Sequence, residues 1–178
     1  MVVRLSLQDS LSNHEVYEFP PFDASTEQET PFLGFGDILE HSARAEKAFH
    51  EAAAMMRERV REGFGVKLND PSEIPGELDG IVSHMWATGW DPNVGNVSLF
   101  LTDFSLILSE AMLDSMGGKL VFRTTGNFDQ CSIFWATARI EAFPFHKVVK
   151  CLFAPEGESM AHYVRGLAAL LRNHLERY

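Results

Sequence analysis

The chain has 178 residues, 46% of them apolar and 22% charged, and a formal net charge of −10. That length and balance describe one folded domain able to bury a core without disulfides or metals, and they exclude wholesale disorder. No apolar run approaches the roughly 20 residues needed to span a bilayer, and the N-terminus, MVVRLSLQDSLSN, lacks the sustained apolar core of a signal peptide.

The placement of charge says more than its total. Residues 66–118 carry Lys67 against eight acids, whereas residues 119–178 carry eight bases against five acids. Nucleic acid selects a dense basic face, and an excess of three bases on an acidic chain does not supply one, so nucleic-acid binding is disfavoured. Cys131 and Cys151 each sit among apolar residues. They read as a reduced pair in a cytoplasmic protein, not as a disulfide.

Along the chain, Val3, Leu5 and Leu7 alternate with polar residues at the period of a half-buried strand, and Val16 to Phe19 is a second short run able to pair with them. Residues 20–36, with three prolines and two glycines, form a loop or arm. Asp37 and Glu40 have capping-box spacing. Ile38, Ala45, Phe49, Ala52, Met56 and Val60 then recur at helical spacing, up to Gly63 and Gly65. The segment from Val66 to Gly80 reads as a polar, proline-punctuated connection, followed by a short helix through Ile81, Val82, Met85 and Trp86 that Gly89 closes.

The next helix, capped by Asn96 or Ser98, carries a wide stripe of Val97, Phe100, Leu101, Phe104, Leu108, Ala111 and Met112, with Asp103, Glu110 and Asp114 off it. Gly117 and Gly118 stop it. The strand-like runs KLVFRT, QCSIFWAT and ARIEAF follow: the second is apolar on both faces, as a central strand is, and Glu141 in the third marks a wet face. Pro144 suits a first helical turn, and Met160, Tyr163, Val164, Leu167, Leu170, Leu171 and Leu175 form one face of a last helix. The expected fold is therefore α+β. A three-stranded antiparallel meander at about 119–143, open to extension by N-terminal strands, is packed by amphipathic helices. The expected organisation is one domain, 1–178, with an arm at 1–36 and a core at 37–178. Phe104, Leu108, Met112, Phe122, Phe134 and Leu167 are the expected centre of its core.

Chemistry is sparse. Glu46 and His50 lie one helical turn apart, with His41 near, but a metal needs ligands converging from a second element. No nucleophile elbow, phosphate loop or zinc spacing occurs, and Cys131 reads as structural. No catalytic residue, cofactor or metal is expected. Asp103, Glu110 and Asp114 share one side of their helix, which reads as a charged outer face. Trp86 and Trp90 lie beside a Gly-Trp-Asp-Pro turn in the acidic third of the chain. An aromatic ringed by acids suits an interface anchor. Trp86, Trp90, Asp91, Asp103, Glu110 and Asp114 are accordingly the candidate partner-binding residues.

LTDFSLILSEAM, MGGKLVFR, ARIEAFPFHKVVK and ESMAHYVRGL together resemble small bacterial α/β domains in which an apolar helix leads through a glycine pair to a hairpin and a Pro-Phe-x-Lys-Val helix start. Some of these domains are immunity-like, partner-binding proteins of bacterial competition systems. The resemblance implies a non-enzymatic role, either with a protein partner or in self-association. It spans about two-fifths of the chain, rests on structural motifs, and departs from the pattern at Ser109, where glycine is usual. The competing expectation is a small-molecule-binding domain or enzyme, with a pocket between the sheet and the 96–116 helix.

Overall fold

A computed structural model describes residues 16–18, 35–92, 97–122 and 131–175, with side chains from 46 to 92, 97 to 121 and 131 to 174. In chain order these residues form β1 (Val16–Glu18), α1 (Phe35–Phe64), α2 (Ile74–Ala87), α3 (Val97–Met116), β2 (Lys119–Phe122), β3 (Cys131–Trp135), β4 (Ile140–Ala142), α4 (Pro144–Phe153) and α5 (Met160–Leu175). The fold is α+β. The consecutive strands β2, β3 and β4 make an antiparallel meander, and β1 pairs antiparallel with the free side of β4, giving the order β1-β4-β3-β2. The run at Val16 thus extends the meander. The expected strand at Val3 to Leu7 lies outside the described residues.

β3 is central, with β4 on one side and β2 on the other. Its residues Ile133 and Trp135 face the helices together with Ile140 and Ala142 of β4, and all four are buried in the main core. Two glycines make the junction with α3 possible. Gly117, at φ 66°, donates its N–H to the carbonyl of Leu113 at 2.8 Å and ends the helix in a left-handed turn. Gly118 follows at φ 101°, and a Cβ there would lie 2.8 Å from Ile133 Cγ2 and 2.9 Å from Trp135 Nε1. The Trp135 indole then donates to the carbonyl of Met116 at 3.0 Å, satisfying one of the acceptors that a helix end leaves over.

α3 is the axis of the molecule. From Leu101 to Met112 every residue but Thr102 is buried, and α1, α2, α4 and α5 all contact the helix. This corrects the expectation of one apolar stripe with an acidic outer face. Over that span the helix has almost no outer face, so Asp103 and Glu110 must be paired, while Asp114 beyond it is exposed.

Three other differences have local causes. α1 starts at Phe35, two residues ahead of the expected Asp37 cap, so Asp37 lies inside the helix. α2 begins at Ile74, within the stretch read as a connection. Pro75 sits in its first turn, where its missing N–H costs nothing, and Ile74, Leu78, Ile81, Val82 and Met85 are buried at helical spacing. Glu141 was expected on a wet face and is buried. β1 occupies the sheet position beside it, and the Ser132 hydroxyl of β3 donates to its carboxylate. Of the expected core centre, Phe104, Leu108, Met112 and Leu167 are buried, while Phe134, on the opposite sheet face, is half-buried. The side chain of Phe122 lies outside the described residues.

Candidate functional site

Trp86 ends α2 with an arrangement that leaves part of a large apolar side chain in solvent. It is 38% exposed, and its indole N–H donates to the carbonyl of Leu152 in the last turn of α4 at 3.1 Å. That bond satisfies the ring's one donor and a helix-end acceptor, so what remains in solvent is carbon surface held in a set orientation. Just beyond, Thr88 returns its N–H and its hydroxyl to the carbonyl of His84, at 3.0 and 2.9 Å, and Gly89 turns the chain at φ 82°. The turn folds Trp90 back onto α3, where its ring meets Phe100 edge-on at 5.7 Å. Trp90 is therefore half-buried and packed on the core, while Asp91 is exposed.

The acids of α3 divide in the same way. Asp103 is buried and accepts a two-pronged contact from Arg59 of α1, with Nε donating to Oδ2 at 3.0 Å and Nη2 donating to Oδ1. Glu110, also buried, accepts from Arg57, and His50 stands 3.5 Å from its other oxygen. Asp114, a turn later, is exposed. Burial pushes the Asp103 carboxyl above the usual carboxylate range, and the hydrogen bond and charge of Arg59 pull it back only in part. Asp103 and Glu110 thus join α1 to α3, whereas Trp86 joins α2 to α4. The six candidates do not form one surface: Trp86 and Asp91 are exposed at the end of α2, and Asp114 near the end of α3.

A groove of about 250 Å³ lies between α1, the connection after it and α3, lined by Ala54, Arg57, Glu58, Arg61, Leu68, Asn69 and Glu110. This is not the expected position between sheet and α3, where Ile107, Leu108, Ile133 and Trp135 belong to one buried cluster. It is smaller than the roughly 300–1,000 Å³ usual for ligand pockets, and its arginines are engaged with Glu110 and Glu58. Cys131 is buried beside Phe49, Ala53 and Leu106, and burial pushes its thiol up to about 12. A thiol so placed is a poor nucleophile. Among the described residues no group of three or more His, Cys, Asp or Glu gathers to hold a metal ion, and no described helix is long and apolar enough to cross a membrane.

Two polar residues had no signal in the sequence. Asp79, in the middle of α2, caps α5: its Oδ1 accepts from the N–H of Met160 at 2.7 Å, and its Oδ2 accepts from Ala161 N–H at 3.0 Å and Ser159 Oγ at 2.7 Å. Lys147 of α4 is buried, donates to Glu158 and lies 5.9 Å from the centre of the Tyr163 ring. A cap from another helix leaves no local pattern, although Ser159, which accepts from the N–H of His162 at 3.0 Å, stands at a readable N-cap position. No protein-family model matches the chain, and neither a curated protein nor a solved structure shows significant similarity to it.

Proposed function

We propose that this protein works by binding a protein partner, without catalysing a reaction, and that Trp86 anchors the contact. The observation that carries the reading is the exposed, hydrogen-bonded indole at the end of α2. Tryptophan contributes more interface energy than most residues, and a ring already fixed in orientation loses little side-chain entropy on binding. Asp91 stands exposed nearby. The ion pairs of Asp103 and Glu110 support the other half of the reading, because these two buried carboxylates serve helix packing. The immunity-like resemblance of the 97–167 region points the same way.

A photo-crosslinking residue at position 86, compared with the same residue at exposed Met55, tests this in cells. The expected result is a discrete crosslinked species from position 86 alone. Its partner, once purified, should lose affinity for Trp86→Ala by tenfold or more, as expected of a hot-spot residue. A partner that binds Trp86→Ala as tightly as the original chain, or the absence of any species specific to position 86, overturns the proposal.

A further inference from the structure

The charged residues of α5 are all bases. Residues 160–175 contain His162, Arg165, Arg172 and His174 and no aspartate or glutamate, in a chain with 25 acids against 15 lysines and arginines. Met160, Leu167 and Leu171 are buried on one side of the helix, and His162, Arg165 and Arg172 are exposed on the other. Arg165 and Arg172 are close to two full turns apart, so they share one line along the helix at a separation of about 10 Å. Gly166 and Ala169, between them along the helix, are small, and the space beside Gly166 is open. By contrast Arg57, Arg59 and Arg61 of α1 each meet a carboxylate. Among the described residues no carboxylate meets Arg165 or Arg172. Arg172 lies in the last turn, where a cation suits the helix dipole, but Arg165 stands in mid-helix and gains nothing from it.

A guanidinium is a planar fork that suits a carboxylate in a two-pronged contact, as Arg59 makes with Asp103. Two such forks about 10 Å apart match carboxylates seven positions apart on a helix, or three apart on an extended strand. A nucleic acid or an anionic bilayer fits less well, because an extended polyanion also meets the field of a chain whose net charge is −10. A short acidic segment meets the strip alone. We propose that the exposed side of α5 is a docking surface for an acidic segment of a protein partner, with Arg165 and Arg172 each taking one carboxylate. The surface is carried by α5 by itself and does not depend on the role of Trp86.

The test uses the full chain and a fluorescent helix-forming peptide with two glutamates seven positions apart, read by anisotropy beside its counterpart with glutamine at both places. The glutamate peptide should bind, more weakly as salt is raised, and the glutamine peptide should bind several-fold more weakly. Arg165→Gln and Arg172→Gln should each weaken binding about twofold to fivefold, the scale of one exposed charge pair, and the double variant about fivefold to twentyfold. Arg165→Lys keeps the charge without the fork and should fall between Arg165→Gln and the original. Lys67→Gln, which removes an exposed charge from the connection after α1, should leave binding unchanged. Coincident melting temperatures confirm that the variants fold. Failure of the glutamate peptide to bind, equal binding of the two peptides, or a double variant that binds as tightly as the original chain overturns the inference. So does a preference for an oligonucleotide or a phosphatidylserine vesicle that the double variant loses, which would make the face a polyanion site. Self-association in sedimentation, lost in the double variant, would make the occupant a second copy and overturn it as well. The crosslink from position 86 tests the anchor separately, so either reading can fail without the other.

Discussion

Asp79→Ala should be among the costlier polar substitutions in this protein, since one carboxylate holds the start of α5 by three contacts from outside the helix. Two are backbone N–H groups, of Met160 at 2.7 Å and Ala161 at 3.0 Å, which no intrahelical carbonyl can satisfy; the third is the Ser159 hydroxyl at 2.7 Å. Loss of a helix cap costs about 0.5–2 kcal/mol, and a negative charge at a helix N-terminus contributes a further 0.3–1 kcal/mol or so. The sum, about 0.8–3 kcal/mol, should appear as global destabilisation. For a chain of this size that corresponds to a fall in Tm of roughly 2–12 °C. Asp79→Asn keeps an acceptor and loses the charge, and should cost about half as much. Ser159→Ala should cost about 1 kcal/mol through the His162 N–H. Because the two side chains touch, the double variant should deviate from additivity by at least about 0.5 kcal/mol. Urea titration measures the energies, and amide exchange at Met160 and Ala161 reports the site. A cost for Asp79→Ala below about 0.5 kcal/mol, with unchanged exchange at those amides, would refute the capping argument.

Gly118→Ala should destabilise by about 2 kcal/mol or more, because φ is 101° and the new Cβ would stand 2.8 Å from Ile133 Cγ2; a thermal melt coincident with the original chain would count against the close packing of the α3–β2 junction. Asp103 has its carboxyl raised above the ordinary range by burial, so the folded state favours its protonated form. Its contribution to stability is then greatest below the unfolded value of about 3.9 and falls as pH rises from there through the raised folded value. Asp103→Asn should flatten that part of the stability–pH curve and cost less than about 1 kcal/mol at pH 7, and a loss above about 2 kcal/mol in urea titration would mean that Arg59 more than compensates the burial. Cys131, buried with its thiol pushed up to about 12, should resist a thiol reagent at pH 8 in the native protein and react once urea unfolds it. Fast modification of the native chain at Cys131, identified by peptide mapping, would contradict the described packing.

The primary sequence carried the periodicities, and periodicity is local. The spacing of Phe104, Leu108 and Met112 placed a helix, Gly117 and Gly118 ended it, and the apolar run at Cys131 to Trp135 marked the middle strand. Each rests on steric or burial demands among residues within about ten positions of one another, so each is legible without knowing what packs where. Trp86 was legible as a candidate for the same reason: a large aromatic beside a turn and a run of acids is a local feature. Its exposure was not, because that depends on how α4 approaches α2, with the Leu152 carbonyl sixty-six residues away. The same holds for Asp103 and Glu110, whose place on the helix was correctly read and whose surroundings were not. A helical wheel gives the direction of a side chain but not the number of helices around it, and only the docking of α1 brings Arg59 and Arg57 to meet them. Glu141 likewise needed β1 and Ser132, and Asp79 needed the start of α5. For Trp86, Asp103, Glu110 and Asp79 a polar group was satisfied by a partner remote in sequence, and such pairing leaves no trace in the local pattern.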